Sequence, residues 1–295
     1  MVTITRAIAL SLVGLITALA APRPADARYP EDLDVNGLSL LDSATAQSMF
    51  DYVVREMAMT ISPKALSPGE TVGAYGFELG FESTLAFPHT SPEADSNAPI
   101  WDMFTAWDMM TSSGEPSPGV IYIPQVRLRK GLPYSLEVGA TVGWILNTRQ
   151  TILGGFGRWA PMEGWPNVPD VALGFGYNGL VGNETLDLGV FEFDITVGYT
   201  FSFGLDRKYT SAQFAPFVGL GVLASHAKAK NIDFELLPAT AWGNKAEPGV
   251  IPNDFRYTKI FVGFTLVNNH FVFAFNGELI PKGVHALNLR VGLNY

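Results

Sequence analysis

The sequence contains no cysteine. That absence excludes disulfides, thiolate metal sites, a cysteine nucleophile and a lipidated N-terminal cysteine. Charge is scarce as well. Asp, Glu, Lys and Arg make up 16% of the 295 residues, against about 25% in an ordinary soluble domain. Long apolar runs are missing past the first 27 residues, where nothing approaches the roughly 18 needed for a spanning helix. If this part of the chain enters a membrane, it does so without helices. The net charge of -9 carries no basic stripe, so nucleic acid is not an expected partner.

Motifs for chemistry are also lacking. The histidines are His89, His226, His270 and His285. None sits in an HExxH or another close metal-ligand spacing, and there is no GxSxG elbow. Gly154-Gly155-Phe156-Gly157 is not followed by a helix start, so it reads as strand glycine rather than a phosphate loop. No cofactor, metal site or catalytic residue is expected. An outer-rim enzyme pairing His89 or His226 with Asp102 or Asp233 stands as the third of three functional alternatives.

The first 27 residues combine a basic head, an apolar stretch over 7–21 and the small-x-small site Ala25-Asp26-Ala27. This pattern predicts a secretory signal peptide. Residues 28–69 form a second unit, read as a periplasmic N-terminal segment. Within it, Ala46, Met49, Phe50, Val53, Val54 and Met57 recur at helical spacing and predict a helix over 43–59, ended by Pro63 and Pro68. Its apolar stripe needs a partner: the barrel lumen, which makes it a plug, or the rim or another subunit.

From residue 70 to 295 the period changes to two, which signals strands. Over 72–87, Tyr75, Phe77, Leu79 and Phe81 alternate with Gly76, Glu78, Gly80 and Glu82. Similar segments follow at 120–129, 135–146, 151–159, 170–178, 191–203, 214–222, 258–266, 271–279 and 287–295. Many exceed the 5–6 residues of a soluble strand and match the 9–11 of a transmembrane one. The polar face is small and sparsely charged, unlike the exposed face of a soluble sandwich. The prediction is an all-β, antiparallel up-and-down transmembrane β-barrel of about 10 strands (8–12 by the count's tolerance), with short inner turns and longer outer loops. Leu186, Leu188 and Val190 are out of phase with Phe191 and Phe193, which predicts a bulge or turn near Val190. Trp144, Trp159, Tyr177, Tyr199 and Tyr257 are candidates for interfacial aromatic girdles.

By strand parity the lumen-facing candidates are the acids Glu78, Glu82, Glu137, Glu192, Asp194 and Glu278 and the bases Arg127, Arg129, Lys259 and Arg290. They make either an ion-pair network that fills the lumen or the wall of a narrow channel. The inward glycines leave room for solute or for large neighbours. The outer connection 88–117 carries the apolar run 100–110, a candidate lid or binding surface.

With its signal peptide, ten alternating segments and terminal strand, the mature chain resembles the bacterial outer-membrane β-barrel superfamily. The resemblance implies an outer-membrane location and contact with its lipid. It also implies a C-terminal assembly signal read by the barrel-assembly machinery, here Leu287, Leu289, Val291, Leu293 and Tyr295. The terminal Tyr295 stands where Phe is more usual, and Arg290 where the family often has glycine. The functional expectation is a narrow channel that binds or passes small polar solutes. The second alternative is a non-conducting structural or interaction barrel with working outer loops.

Overall fold

The computed structural model describes residues 32–35, 38, 43–88, 119–165, 167–203, 212–230, 239–240, 256–281 and 283–295. The expected signal peptide and the apolar run 100–110 lie outside the described residues, as do His89, Asp102 and Asp233. The elements are α1 (Ser43–Ile61), β1 (Phe77–Phe87), β2 (Ile121–Leu132), β3 (Leu136–Trp144), β4 (Thr151–Met162), β5 (Asp170–Val181), β6 (Leu186–Gly198), β7 (Phe201–Phe203), β8 (Ala212–Ala229), β9 (Ala239–Thr240), β10 (Arg256–Asn268), β11 (Phe271–Leu279) and β12 (His285–Asn294).

Ten of these strands build the wall. Each pairs antiparallel with its neighbours in chain order, β1 meets β12, and β8 meets β10 across the short β9. The sheet therefore closes on itself with no free edge. β7 and β9 are small additions beside β8. Closure gives every wall strand a partner on both sides, which hydrocarbon requires because no water is there to satisfy a bare edge.

Alternation decides which side chain meets lipid. Phe81, Phe175, Phe191, Phe193, Ile195, Leu220, Val222, Val262, Phe273 and Val291 stand exposed on the outer surface. Their rings interlock there, with Phe175 and Phe193 5.5 Å apart between centroids. An exposed belt of this size on a closed antiparallel barrel of even strand number is the lipid-facing surface of an outer-membrane type barrel. This chain has that architecture, a closed barrel with an apolar outer belt.

The connections differ at the two ends. One end has the turns 133–135 and 269–270, the longer links 163–169 and 199–211, and the meeting of Phe77 with the terminal Tyr295, whose main chains hydrogen-bond at 2.8 Å. The tight turns rest on left-handed residues, Tyr134 and Ser135 in one and Asn269 in the other. The other end has links 88–120, 145–150, 182–185, 230–255 and 280–284. Short turns face the periplasm and longer loops face outward in such barrels, so the termini of the barrel lie at the inner end.

Two expectations are corrected. No bulge occurs near Val190: β6 keeps unbroken register with β5 and β8 through that point. The phase of the sequence flips because the lining of the barrel changes. Leu186, Leu188 and Val190 point inward, like Glu192, and are buried in an apolar layer around α1. The register irregularity falls instead between Trp159 and Met162, against β5. Tyr257 shares the inward parity of Lys259 and packs on that apolar cluster, with the Arg55 guanidinium 5.0 Å from its ring centre. It is not a girdle residue.

Helix α1 sits inside the barrel toward the outer end. Phe50, Val53, Val54 and Met57 pack with Ile121, Ile123, Leu180, Leu188 and Leu223 of the wall and Ile145 of the link after β3. The last turn is buried on all sides, since Met57, Ala58, Met59, Thr60 and Ile61 are all enclosed. Burying each large side chain contributes about 1.5–3 kcal/mol, so the helix is held mainly by the wall. It ends where Pro63 follows Ser62, whose N–H and hydroxyl both donate to the Met59 carbonyl.

Candidate functional site

The lumen below α1 is a layer of charge, crossed by the extended residues 62–69. Its first cluster lies on β1, β2, β3 and β12. Arg129 forms a bidentate pair with Glu137, Nε at 2.9 Å and Nη2 at 2.7 Å, while its Nη1 reaches Glu78 at 2.8 Å. Arg290 Nε lies 3.1 Å from the other oxygen of Glu78. Arg127 Nε lies 2.7 Å from Glu82 and its guanidinium covers the Phe156 ring at 4.6 Å. The hydrogen-bonded fork of Arg129 is the geometry that lets a buried pair offset its desolvation cost.

Glycines on the same faces make the room. The Arg290 stem would come within 3.1 Å of a Cβ at Gly80, and the Phe156 ring within 2.2 Å of one at Gly139.

A second cluster is assembled from β6, β10, β11 and the crossing segment. Lys259 lies 2.7 Å from Glu192 and 3.3 Å from Glu278. Lys64, on the crossing segment, lies 3.0 Å from the other oxygen of Glu278. Asp194 belongs to neither cluster. It accepts a hydrogen bond from Thr196 and lies over Gly174, 2.1 Å from where a Cβ would stand. On the opposite side of Gly174 in the sheet register is Arg158. Its Nη2 donates to the Ser67 carbonyl at 3.1 Å, and its buried Nη1 has no hydrogen-bond partner. A cavity of about 50 Å³ lies here between the crossing segment and the wall, bordered by Lys64, Arg127, Arg158, Asn178, Glu192 and Asp194.

Of the ten charged residues singled out by parity, nine are buried and Asp194 is half-buried beside the cavity. Arg158 and Lys64 were not among them. Arg158 stands in the glycine-rich β4, where Gly154, Gly155 and Gly157 blur the alternation; its parity with Ile152 and Phe156 was the available signal. Lys64 follows the helix and carries no periodicity at all. With them the layer has six cations (Lys64, Arg127, Arg129, Arg158, Lys259, Arg290) facing six acids (Glu78, Glu82, Glu137, Glu192, Asp194, Glu278). Without Lys64 the wall carries one acid in excess.

The crossing segment is gripped along its length. Four wall side chains donate to its carbonyls and a fifth, Asn178, to Ile61 at the end of α1, and a chain of Thr84, Asn288 and Asn276 extends the contact to Ala65 across β1, β12 and β11. The chain on either side of α1 and this segment is fastened as well. Near the outer mouth Arg149 binds Asp32 at 2.8 Å, Asn183 donates to the Leu33 carbonyl and Thr185 accepts the Val35 N–H. At the inner end Glu163 accepts the N–H and hydroxyl of Thr71, and Glu137 accepts the Val72 N–H. Glu70 lies there too, and burial, aided by the Asp170 charge, pushes its carboxyl above the ordinary value.

No protein-family model and no curated protein sequence matches the chain. Among solved structures it is similar to the KdgM porin, with 6% identity, a TM-score of 0.29, and coverage of 73% of this chain and 98% of that one. It is also similar to Ail, the attachment invasion locus protein of Yersinia pestis, solved with a heparin analogue, at 10% identity and a TM-score of 0.24, covering 75% and 99%. A triple mutant of the Rhodopseudomonas blastica porin matches at 6% identity and a TM-score of 0.19, covering 74% and 99%. At these scores none of them bears on what the lumen takes.

Proposed function

We propose that the protein is a narrow outer-membrane channel for small polar solutes, closed at rest by its own residues 43–69 and conducting when that plug shifts. The observation that supports this reading is the crossing segment itself. Its helix fills the outer half of the lumen and Lys64 supplies the cation that neutralises the charged layer. A lumen built only to be filled has no need of a cavity beside the segment or of a buried guanidinium nitrogen left without a partner.

The outward residues Leu287, Leu289, Val291 and Leu293 of β12, and Tyr295 just after it, are all exposed. They serve in this reading as the signal for the barrel-assembly machinery.

The test is planar-bilayer conductance of the whole mature chain carrying Pro63→Cys and Gly176→Cys. A Cβ at Gly176 would lie 2.7 Å from Pro63 Cβ, close enough for a disulfide after a small outward shift, and no native cysteine competes. Openings in the reduced protein that vanish on oxidation are the expected result. Silence in both states, and in the plug-weakened Lys64→Glu chain, would overturn the channel and leave the non-conducting interaction barrel.

A further inference from the structure

We propose that the lumen is a binding site for extended polypeptide, specific for a proline followed by lysine, and that residues 61–69 occupy it in cis. This rests on the channel reading and names its solute class: short extended peptides.

The contacts define the ligand. Asn178 donates to the Ile61 carbonyl at 2.7 Å, Lys259 to Pro63 at 2.8 Å, Arg127 to Lys64 at 2.9 Å, Asn276 to Ala65 at 2.9 Å and Arg158 to Ser67 at 3.1 Å. The donors come from five different strands. Each is a buried side chain aimed at main chain, so the grip is on a backbone and not on a particular sequence. Among the described residues, no wall acceptor takes a main-chain N–H of residues 63–69. A site that reads carbonyls alone accepts proline without loss, because proline lacks only the donor. The segment is SPKALSPG over 62–69, with prolines at 63 and 68.

Two features add specificity. Gly176 leaves a notch in the wall that the Pro63 ring fills, with Pro63 Cβ and Cγ the nearest atoms. Lys64 reaches into an acidic pocket and meets Glu278 at 3.0 Å. The unpartnered Nη1 of Arg158 provides one more donor beside the cavity than the resident segment uses. An incoming peptide has a further place for a carbonyl there.

A covalently attached occupant outcompetes free peptide through its effective concentration. The experiment removes that advantage while keeping the whole chain. A protease site is introduced at the exposed turn 73–75, the protein is refolded in detergent and cut, and closure of the barrel is checked by its heat-modifiable gel mobility. Labelled synthetic peptides are then followed by fluorescence anisotropy. They span 43–72, 43–72 with Lys64→Glu, 43–61 alone and 62–72 alone. The expected result is exchange of the 43–72 peptide into the barrel, at least tenfold weaker binding of its Lys64→Glu form, and measurable binding of 62–72 without the helix.

Equal binding by 43–61 and 43–72 would overturn the proposal, since the helix would then be the only ligand. Equal binding by the native and Lys64→Glu peptides would overturn it too. If the cut barrel does not survive, the uncut chain carrying Pro63→Asp is titrated with the 62–72 peptide, and no binding there counts against the site. Because binding is read in detergent without a bilayer, its failure leaves the conductance result standing, and a silent bilayer leaves the peptide result standing.

Discussion

The Lys64 ammonium lies 3.0 Å from the Glu278 carboxylate, joining two buried side chains 214 residues apart in the chain. One belongs to the segment before the barrel, the other to β11 of its wall. Their contact ties the crossing segment to the wall at the point where the wall is short of one cation. Removing one partner of a buried pair leaves the other charge unmatched, which typically costs about 3–5 kcal/mol. Lys259 still faces Glu278, so Lys64→Met is expected to fall near the lower end, about 3 kcal/mol. Urea unfolding of the refolded protein checks this, and a loss under about 1 kcal/mol would mean that the pair holds nothing.

Glycines in the wall separate packing from lipid contact. A side chain at Gly176 meets Pro63, whereas one at Gly155 finds its nearest atom, the Gly139 carbonyl oxygen, at 3.7 Å. Gly176→Val is expected to displace the crossing segment at a cost of about 1–3 kcal/mol, typical of overpacking. Gly155→Val should leave stability within about 0.5 kcal/mol. Protease accessibility of residues 62–69 distinguishes displacement from global unfolding.

Acid should tighten the inner end. Burial, with Asp170 beside it, holds the Glu70 carboxyl above its ordinary value. The folded chain then binds that proton more tightly than the unfolded one. The resulting stability is fully present below the unfolded value of 4.5 and is lost as pH rises through the folded value. Melting measured between pH 7 and pH 5 is expected to show a rise in the native protein that Glu70→Gln removes. A rise of the same size in Glu70→Gln would mean that Glu70 does not carry the effect.

The fastening of Asp32 to Arg149 puts the start of the described chain at the outer mouth, opposite Tyr295. An epitope tag placed ahead of Asp32 is therefore expected to bind antibody on intact cells. A tag in the 133–135 turn should bind only after permeabilisation. The reverse pattern would invert the barrel.

Much of the barrel was legible in the sequence because a membrane wall has one rule. Phe191, Phe193, Ile195 and Val197 meet lipid while Glu192, Thr196 and Gly198 do not, and a period of two states that directly. Parity also sorts the ten interior charges by face. It fails where the lining changes character, as at Leu186, Leu188 and Val190. Alternation reports the contrast between two faces, and there the inner face is as apolar as the outer.

Composition and periodicity by themselves determined a closed antiparallel barrel with charge inside and a helix ahead of it. Only the tertiary structure decided that the helix and residues 62–69 lie within the lumen, that Lys64 completes the charge balance, and that Arg158 faces the cavity. These depend on which carbonyl meets which donor across the barrel, as with Ser67 and Arg158, or Ile61 and Asn178. Such contacts leave no pattern along the chain, because they pair residues brought together only when the sheet closes around the segment.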